Sequence, residues 1–229
     1  MNMLNDIECI VFDLDDTLYP ERQFVLSGYR AVAEHLVSYG VNPDEAFKSM
    51  KQILISEGRT QVFDKYLQRK GMDTSPVSEM LEVYRNHKPH IALYDDAKRF
   101  IEHIYSKYML GLITDGLAIV QWNKIKALDI KRYFDIIVVT DEHGKDWTKP
   151  SLLPYMYVEK KLLTVPQKCV YIADNPNKDF IGAKKLGWHT VRVDRGDGEY
   201  SGYFLDEQHE AELVVSDLMQ LYDFLIEEG

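Results

Sequence analysis

Cysteine is scarce in this chain: there are two in 229 residues, Cys9 and Cys169. Neither has metal-ligand spacing, and so sparse a usage fits a reducing compartment. Both sit in apolar runs and read as small buried hydrophobes. A redox pair would require those two runs to lie side by side. Long hydrophobic stretches are missing too, since no apolar run approaches the roughly 20 residues that a membrane-spanning helix needs. The stretch before Cys9 carries Asp6 and Glu8 and no basic residue, so a secretory leader is not expected and the cytosol is the expected location. Positive charge is short as well. Against 37 acidic residues stand 27 Lys and Arg, for a formal net charge of −10. Such a balance argues against a nucleic-acid or anionic-membrane binder, because the sequence-independent attraction for phosphate is absent. A small anionic substrate remains compatible, because one metal ion and one lysine can reverse the field locally. Internal repeats, low-complexity tracts and Pro/Ser-rich linkers are also lacking.

What the chain does contain is a series of short, unbroken apolar runs, each ending abruptly in a polar residue. Ile7–Phe12 ends at Asp13, Met109–Ile113 at Thr114, Ile136–Val139 at Thr140, Cys169–Ala173 at Asp174 and Thr190–Val193 at Asp194. Runs without alternation predict strands buried on both faces, as in a parallel sheet. Amphipathic stretches separate them. Asp95–Tyr108 sets Ala97, Phe100, Ile101 and Ile104 on one stripe, and Ala118–Leu128 does the same with Ile119, Trp122, Ile125 and Leu128. Leu152–Leu163 and Phe180–Leu186 follow, the latter closed by Gly187 in a C-cap position. Strand–helix–strand order predicts an α/β fold, a doubly wound parallel sheet with its ligand site beyond the carboxyl ends of the strands. Residues 21–90 differ. They read as helices over Phe24–Tyr39, Asp44–Ser56, Gln61–Lys70 and Ser78–His87, with Ser78 as an N-cap and Pro43 opening a first turn that holds Asp44 and Glu45. We expect a Rossmann-like core from residues 1–20 and 91–229, interrupted by an α-helical cap over 21–90 that closes over the crevice.

Four polar clusters follow four of the strands. In Asp13-Leu14-Asp15-Asp16-Thr17, two carboxylates two residues apart can face one crevice. Leaving them unpaired there would be costly, so a hard, oxygen-seeking cation such as Mg²⁺ is a natural partner. A calcium loop is excluded, because its sixth and twelfth positions would be Leu18 and Phe24 rather than Gly and Glu. Taken alone, the run also reads as an Asx turn capping a helix. Thr114-Asp115-Gly116 can form an anion nest from a hydroxyl and backbone N–H groups, or a plain N-cap. Lys149-Pro150 offers an ammonium for a phosphoryl oxygen, or a solvated surface lysine. In Asp174-Asn175-Pro176-Asn177-Lys178-Asp179, Asp174 would complete a metal site and Asp179 could orient Lys149 or a metal-bound water; the bland alternative is a loop entering a helix.

Together and in this order, the clusters resemble the four motifs of the haloacid-dehalogenase-like phosphohydrolase superfamily. Those motifs are Asp-x-Asp-x-Thr after a strand, Thr or Ser after a strand, a Lys, and Asp after a strand with a second acid four to five residues on. The run Gly182-Ala183-Lys184-Lys185-Leu186-Gly187 is also similar, and the helical stretch between the first two motifs looks like the superfamily's α-helical cap subclass. The resemblance implies an aspartyl-phosphate phosphatase. Asp13 would be the nucleophile, and Asp15 the acid that protonates the leaving alcohol and then activates water. Thr17 would support the turn holding Asp15. Thr114, with Asp115 in the same nest, and Lys149 would hold phosphoryl oxygens. Mg²⁺ would be bound by Asp13, Asp174 and Asp15 through its backbone carbonyl, with Asp179 beyond the direct ligands.

The chemistry wants these parts. Cation and lysine keep the anionic phosphate from repelling an attacking carboxylate, and covalent capture on Asp13 splits the hydrolysis into two easier steps. Asp15 must begin protonated, so a raised pKa is expected of it. Its presence argues against a dehalogenase, which lacks the second aspartate. A phosphomutase, or a non-catalytic phosphate- or metal-binding relative, would keep the same motifs. The chain departs from the superfamily pattern in having Ala173 where glycine is frequent, and Pro150-Ser151-Leu152 where Pro-Asp-Pro is common, which leaves Lys145 a rival to Lys149. The implied substrate is a small phosphorylated metabolite (sugar phosphate, nucleotide or phospho-acid), with no nucleic-acid or membrane partner. Leu18-Tyr19-Pro20 is seen in some nucleotidase-like relatives. Tyr19, Phe24, Tyr29, Phe63 and Tyr66 read as core before pocket, Arg22, Arg59 and Lys65 are candidates for a substrate's second polar group, and Arg195-Gly196-Asp197 reads as a turn before an adhesion motif.

Overall fold

The computed structural model describes residues 4, 6–196 and 198–226. Six strands form one sheet: β1 (Cys9–Phe12), β2 (Met109–Thr114), β3 (Ile136–Val139), β4 (Cys169–Ala173), β5 (His189–Val193) and β6 (Leu213–Val215). All pairings are parallel, in the order β3-β2-β1-β4-β5-β6. The five apolar runs become β1 to β5. The sixth strand was not expected, because Leu213–Val215 is only three residues long and lies at an edge where Val214 stays exposed.

Unbroken apolar runs suit this sheet because both of its faces are covered. On one face Cys9, Val11, Ile113, Cys169 and Tyr171 pack with residues of helices α7 (Leu153–Leu162) and α8 (Phe180–Leu186). On the other, Phe12 meets the edge of Phe100, from α5 (Asp95–Ile104). Cys9 and Cys169 stand directly opposite each other on neighbouring strands, buried and with free thiols. The strand order reverses its direction of growth between β1 and β4. There the carboxyl ends of two strands splay their connections apart, and a crevice opens.

The stripe expected on α5 is the one buried, and Gly187 closes α8 in a left-handed conformation. Helix α6 (Ala118–Leu128) turns differently. Its buried residues are Gln121, Lys124, Ile125 and Leu128, whereas Ile119 is exposed.

The chain divides into two compact units, one holding the residues up to Glu21 with those from Ala92 on, the other holding Arg22–Ile91. The second unit is helical: α1 (Glu21–His35) runs into it, followed by α2 (Pro43–Glu57), α3 (Val62–Arg69) and α4 (Val77–Asn86). Its core gathers Tyr29, Val32, Leu36, Met50, Ile53, Phe63, Tyr66 and Met80. Asn42 caps α2 by accepting from the N–H groups of Asp44 and Glu45, with Pro43 at the first turn. Ser78 does not cap α4. The helix starts one residue before it, on a turn that closes from Val77 N–H to the Thr74 carbonyl. Tyr19, Phe24, Tyr29, Phe63 and Tyr66 are all buried. Within the sheet-bearing unit, the Tyr94 N–H donates to the Leu18 carbonyl at 3.0 Å. A final helix, α9 (Met219–Ile226), follows β6. No helix among the described residues is long and apolar enough to cross a membrane.

Candidate active site

Asp13 is the first residue beyond β1, and its N–H is tied to the Ile172 carbonyl of the adjacent β4 at 2.9 Å. Asp174 is the first residue beyond β4. This shared register brings two carboxylates to one end of the sheet. Asp179, four residues after Asn175, is turned back by accepting from the Asn175 N–H at 3.1 Å. The three acids are buried, and one oxygen from each lies within 4.8 Å of the others.

Lys149 stands among them with its side chain wholly buried. Its ammonium reaches Asp13 Oδ1 at 2.6 Å, Asp179 Oδ1 at 2.7 Å and the Tyr171 hydroxyl at 2.9 Å. Helix α8 supports the turn that carries it, for a Cβ on Gly182 would come within 2.8 Å of the Pro150 carbonyl oxygen. Lys145 is exposed on the surface, and Lys149 is the lysine that stands among the acids.

One lysine does not balance three buried acids. Burial, and then the Asp179 and Asp15 charges, push the Asp13 carboxyl up to about 6 against the opposing pull of Lys149. Asp174 is raised well above the usual carboxylate range, first by burial and then by Asp179 and Asp13. Acids that resist ionising for want of positive charge are a fitting donor set for a hard divalent cation.

Asp15 overturns the expectation of a raised pKa. Burial does push it up, but the Lys124 charge outweighs that, with help from hydrogen bonds, and its pKa is lowered. Lys124 donates to both carboxylate oxygens, at 2.7 and 2.9 Å, Tyr19 OH to one at 2.5 Å and Gln121 Nε2 to the other at 3.2 Å. The Asp15 side chain therefore faces α6 and stands outside the buried acid trio. Its neighbour Asp16 takes a left-handed backbone conformation (φ 53°) and accepts from the N–H groups of Glu21 and Glu199.

Thr114 ends β2 with its hydroxyl buried and, among the described residues, without a hydrogen-bond partner. An unmet hydroxyl at this end of the sheet suits an incoming oxyanion. The Asp115 carboxylate is otherwise occupied. It accepts from Thr140 Oγ1 at 2.8 Å, from the Lys149 N–H at 3.3 Å and from Lys178 Nζ at 3.1 Å. Any phosphate contact at Asp115 would thus come from its backbone N–H. The Thr17 hydroxyl is buried and likewise unpartnered among the described residues; its carbonyl accepts from Arg195 at 3.1 Å. Arg195 also pairs with Asp96 at 2.8 Å and lies over the Tyr94 ring at 3.9 Å. A side chain so engaged does not present an adhesion tripeptide, and Asp197 lies outside the described residues.

Sequence reasoning missed Lys124, Gln121 and Tyr171. The first two hid in a helix read by its apolar stripe, and the third lay within a strand. A lysine and a glutamine three apart on one face of a helix that follows the second motif were the available signal.

A family model for haloacid dehalogenase-like hydrolases matches residues 10–193. A glyceraldehyde 3-phosphate phosphatase of Methanocaldococcus jannaschii is 31% identical over 226 residues, covering 93% of this chain and 98% of its own. A phosphoserine phosphatase of Thermus thermophilus is 26% identical over 139 residues, 60% of this chain and 55% of its own. Among solved structures, the hydrolase YfnB of Bacillus subtilis superposes with a TM-score of 0.71 at 18% identity, covering 97% of this chain and all of its own.

Proposed function

Because this chain belongs to the haloacid dehalogenase-like hydrolase family, we propose that it is a phosphatase acting on a small phosphate monoester through an aspartyl-phosphate on Asp13. The observation that carries this reading is the buried trio of Asp13, Asp174 and Asp179 against a single lysine, at the point where the strand order reverses. Lys149 aims Asp13 and favours its ionised form. The Asp13 carboxylate attacks phosphorus, the bond to the leaving alcohol breaks, and Asp15, which first takes up a proton from solvent as its pairing with Lys124 loosens, gives that proton to the alcohol. Asp15 then takes a proton from the water that attacks the aspartyl-phosphate, releasing inorganic phosphate and free Asp13. The pairing of Asp15 with Lys124 has to loosen during this cycle. The Thr114 hydroxyl takes up a phosphoryl oxygen. Asp13, Asp174 and the Asp15 carbonyl would hold Mg²⁺, which when bound supplies charge neutralisation at the phosphoryl oxygens. Asp15 supports phosphoryl transfer over carbon–halogen cleavage. The names of the relatives support a small metabolite as substrate, and glyceraldehyde 3-phosphate is the first to try.

The test is phosphate release from a panel of sugar phosphates, nucleotides, phosphoserine and glyceraldehyde 3-phosphate, with Mg²⁺ present. At least one ester should turn over, with a loss of about a thousandfold or more in Asp13→Asn. EDTA should abolish release and Mg²⁺ restore it. Full turnover in Asp13→Asn, or in chelator, would sink the proposal.

A further inference from the structure

A lysine ammonium has three N–H donors. The Lys149 ammonium donates to Asp13 Oδ1 and to the Tyr171 hydroxyl and lies 2.7 Å from Asp179 Oδ1, on a side chain that is 0% exposed. Lys178 is different. Its ammonium has Asp115 Oδ2, at 3.1 Å, as its only partner among the described residues, and its side chain is 33% exposed. Two of its donors are left over.

The position of Lys178 matters as much as its spare donors. It lies in the loop after β4, Asp115 follows β2, and β1 runs between those two strands. The Lys178–Asp115 pair thus joins the connections that follow the two strands flanking β1, at whose end Asp13 stands. The far anchor is firm, since Thr140 and the Lys149 N–H also hold the Asp115 carboxylate. Thr114, with its unmet hydroxyl, is the residue next to that anchor.

We infer that Lys178 supplies a second ammonium for the phosphoryl group, beside Lys149, with Asp115 as its holder. This rests on the phosphoryl-transfer reading of the site. It assigns Asp115 a positioning role and explains why a carboxylate stands beside an anion site: it restrains the cation that the anion meets.

The test titrates the whole chain with inorganic phosphate in the presence of Mg²⁺, by calorimetry. Lys178→Met keeps most of the stem and removes the charge. Its Kd for phosphate should rise about tenfold to a hundredfold, the range expected for losing one hydrogen bond to a charged group. Lys178→Arg should recover most of the affinity, and Mg²⁺ binding without phosphate should be unchanged. A second measurement needs no variant. In the wild-type chain, acetic anhydride labelling of Lys178, followed by peptide mass spectrometry, should slow in step with phosphate occupancy. A wild-type Kd in Lys178→Met, or labelling of Lys178 indifferent to phosphate, overturns the inference and leaves the phosphatase reading standing. Failure of the wild-type chain to bind phosphate at all overturns both.

Discussion

Asp15 is met by Lys124, Tyr19 and Gln121, and that company decides which proton it can carry. Lys124 is 3% exposed and gives two short bonds to this one carboxylate. Replacing it with Met leaves Asp15 with neutral donors alone. We expect Lys124→Met to cost about 2 kcal/mol, the scale of a hydrogen bond to a charged group, read from the urea midpoint. We also expect its kcat on a turned-over ester to fall at least about tenfold, because proton transfer contributes more than that and depends on how the acid is aimed. A wild-type midpoint and kcat would show that Asp15 needs no such partner. The contrast with Asp13 explains what was legible. Asp13, Thr114 and Asp174 each end an apolar run, so a change of polarity marks them in the sequence. Lys124 carries no such mark. Its partner lies 109 positions away in the chain, and its helix reads by apolar spacing until that distant charge turns a polar pair inward.

At the scale of the element, α8 and the Lys149-Pro150 turn are fitted to one another through a missing side chain. A methyl on Gly182 would stand 2.8 Å from the Pro150 carbonyl oxygen and 3.0 Å from the Tyr155 ring. Gly182→Ala should therefore destabilise the fold by about 1–3 kcal/mol. A domain of this size loses about 2–4 °C in Tm per kcal/mol, which calorimetry can detect. Activity should fall further than that stability loss alone explains, because Lys149 is displaced from Asp13; an unchanged Tm would refute the tight fit. The five longer strands were legible because burial on both faces forbids alternation, and that produces unbroken apolar runs. β6 was not, because three edge residues with one exposed carry neither signal. Ser78 misled for a related reason. A capping residue looks the same on paper whether or not the chain begins its helix there, and here the preceding turn set the start.

At the scale of the whole molecule, excess negative charge gathers in the sheet-bearing unit, where three buried acids face one buried lysine. The Asp13 carboxyl, raised to about 6, and Asp174, raised well above the usual carboxylate range, hold protons in the folded chain that the unfolded chain has already lost. Between about pH 4 and the raised folded values the folded state binds more protons, so stability falls across that window and the full penalty persists above it. A bound cation removes the penalty. Mg²⁺ should thus raise Tm more at about pH 7.5 than at about pH 5, measured by calorimetry on the EDTA-treated chain. Equal shifts at both pH values would contradict this account of the acid trio. The division into two units has a consequence of another kind. Leu18 and Tyr94 are joined by a backbone hydrogen bond, so the points at which the chain departs for Arg22–Ile91 and returns are clasped together. Doubling the length of a closed excursion costs only about 0.6 kcal/mol in closure entropy. Descendants of such a chain are free to lengthen, shorten or trade that segment while the sheet passes on its carboxylates unchanged.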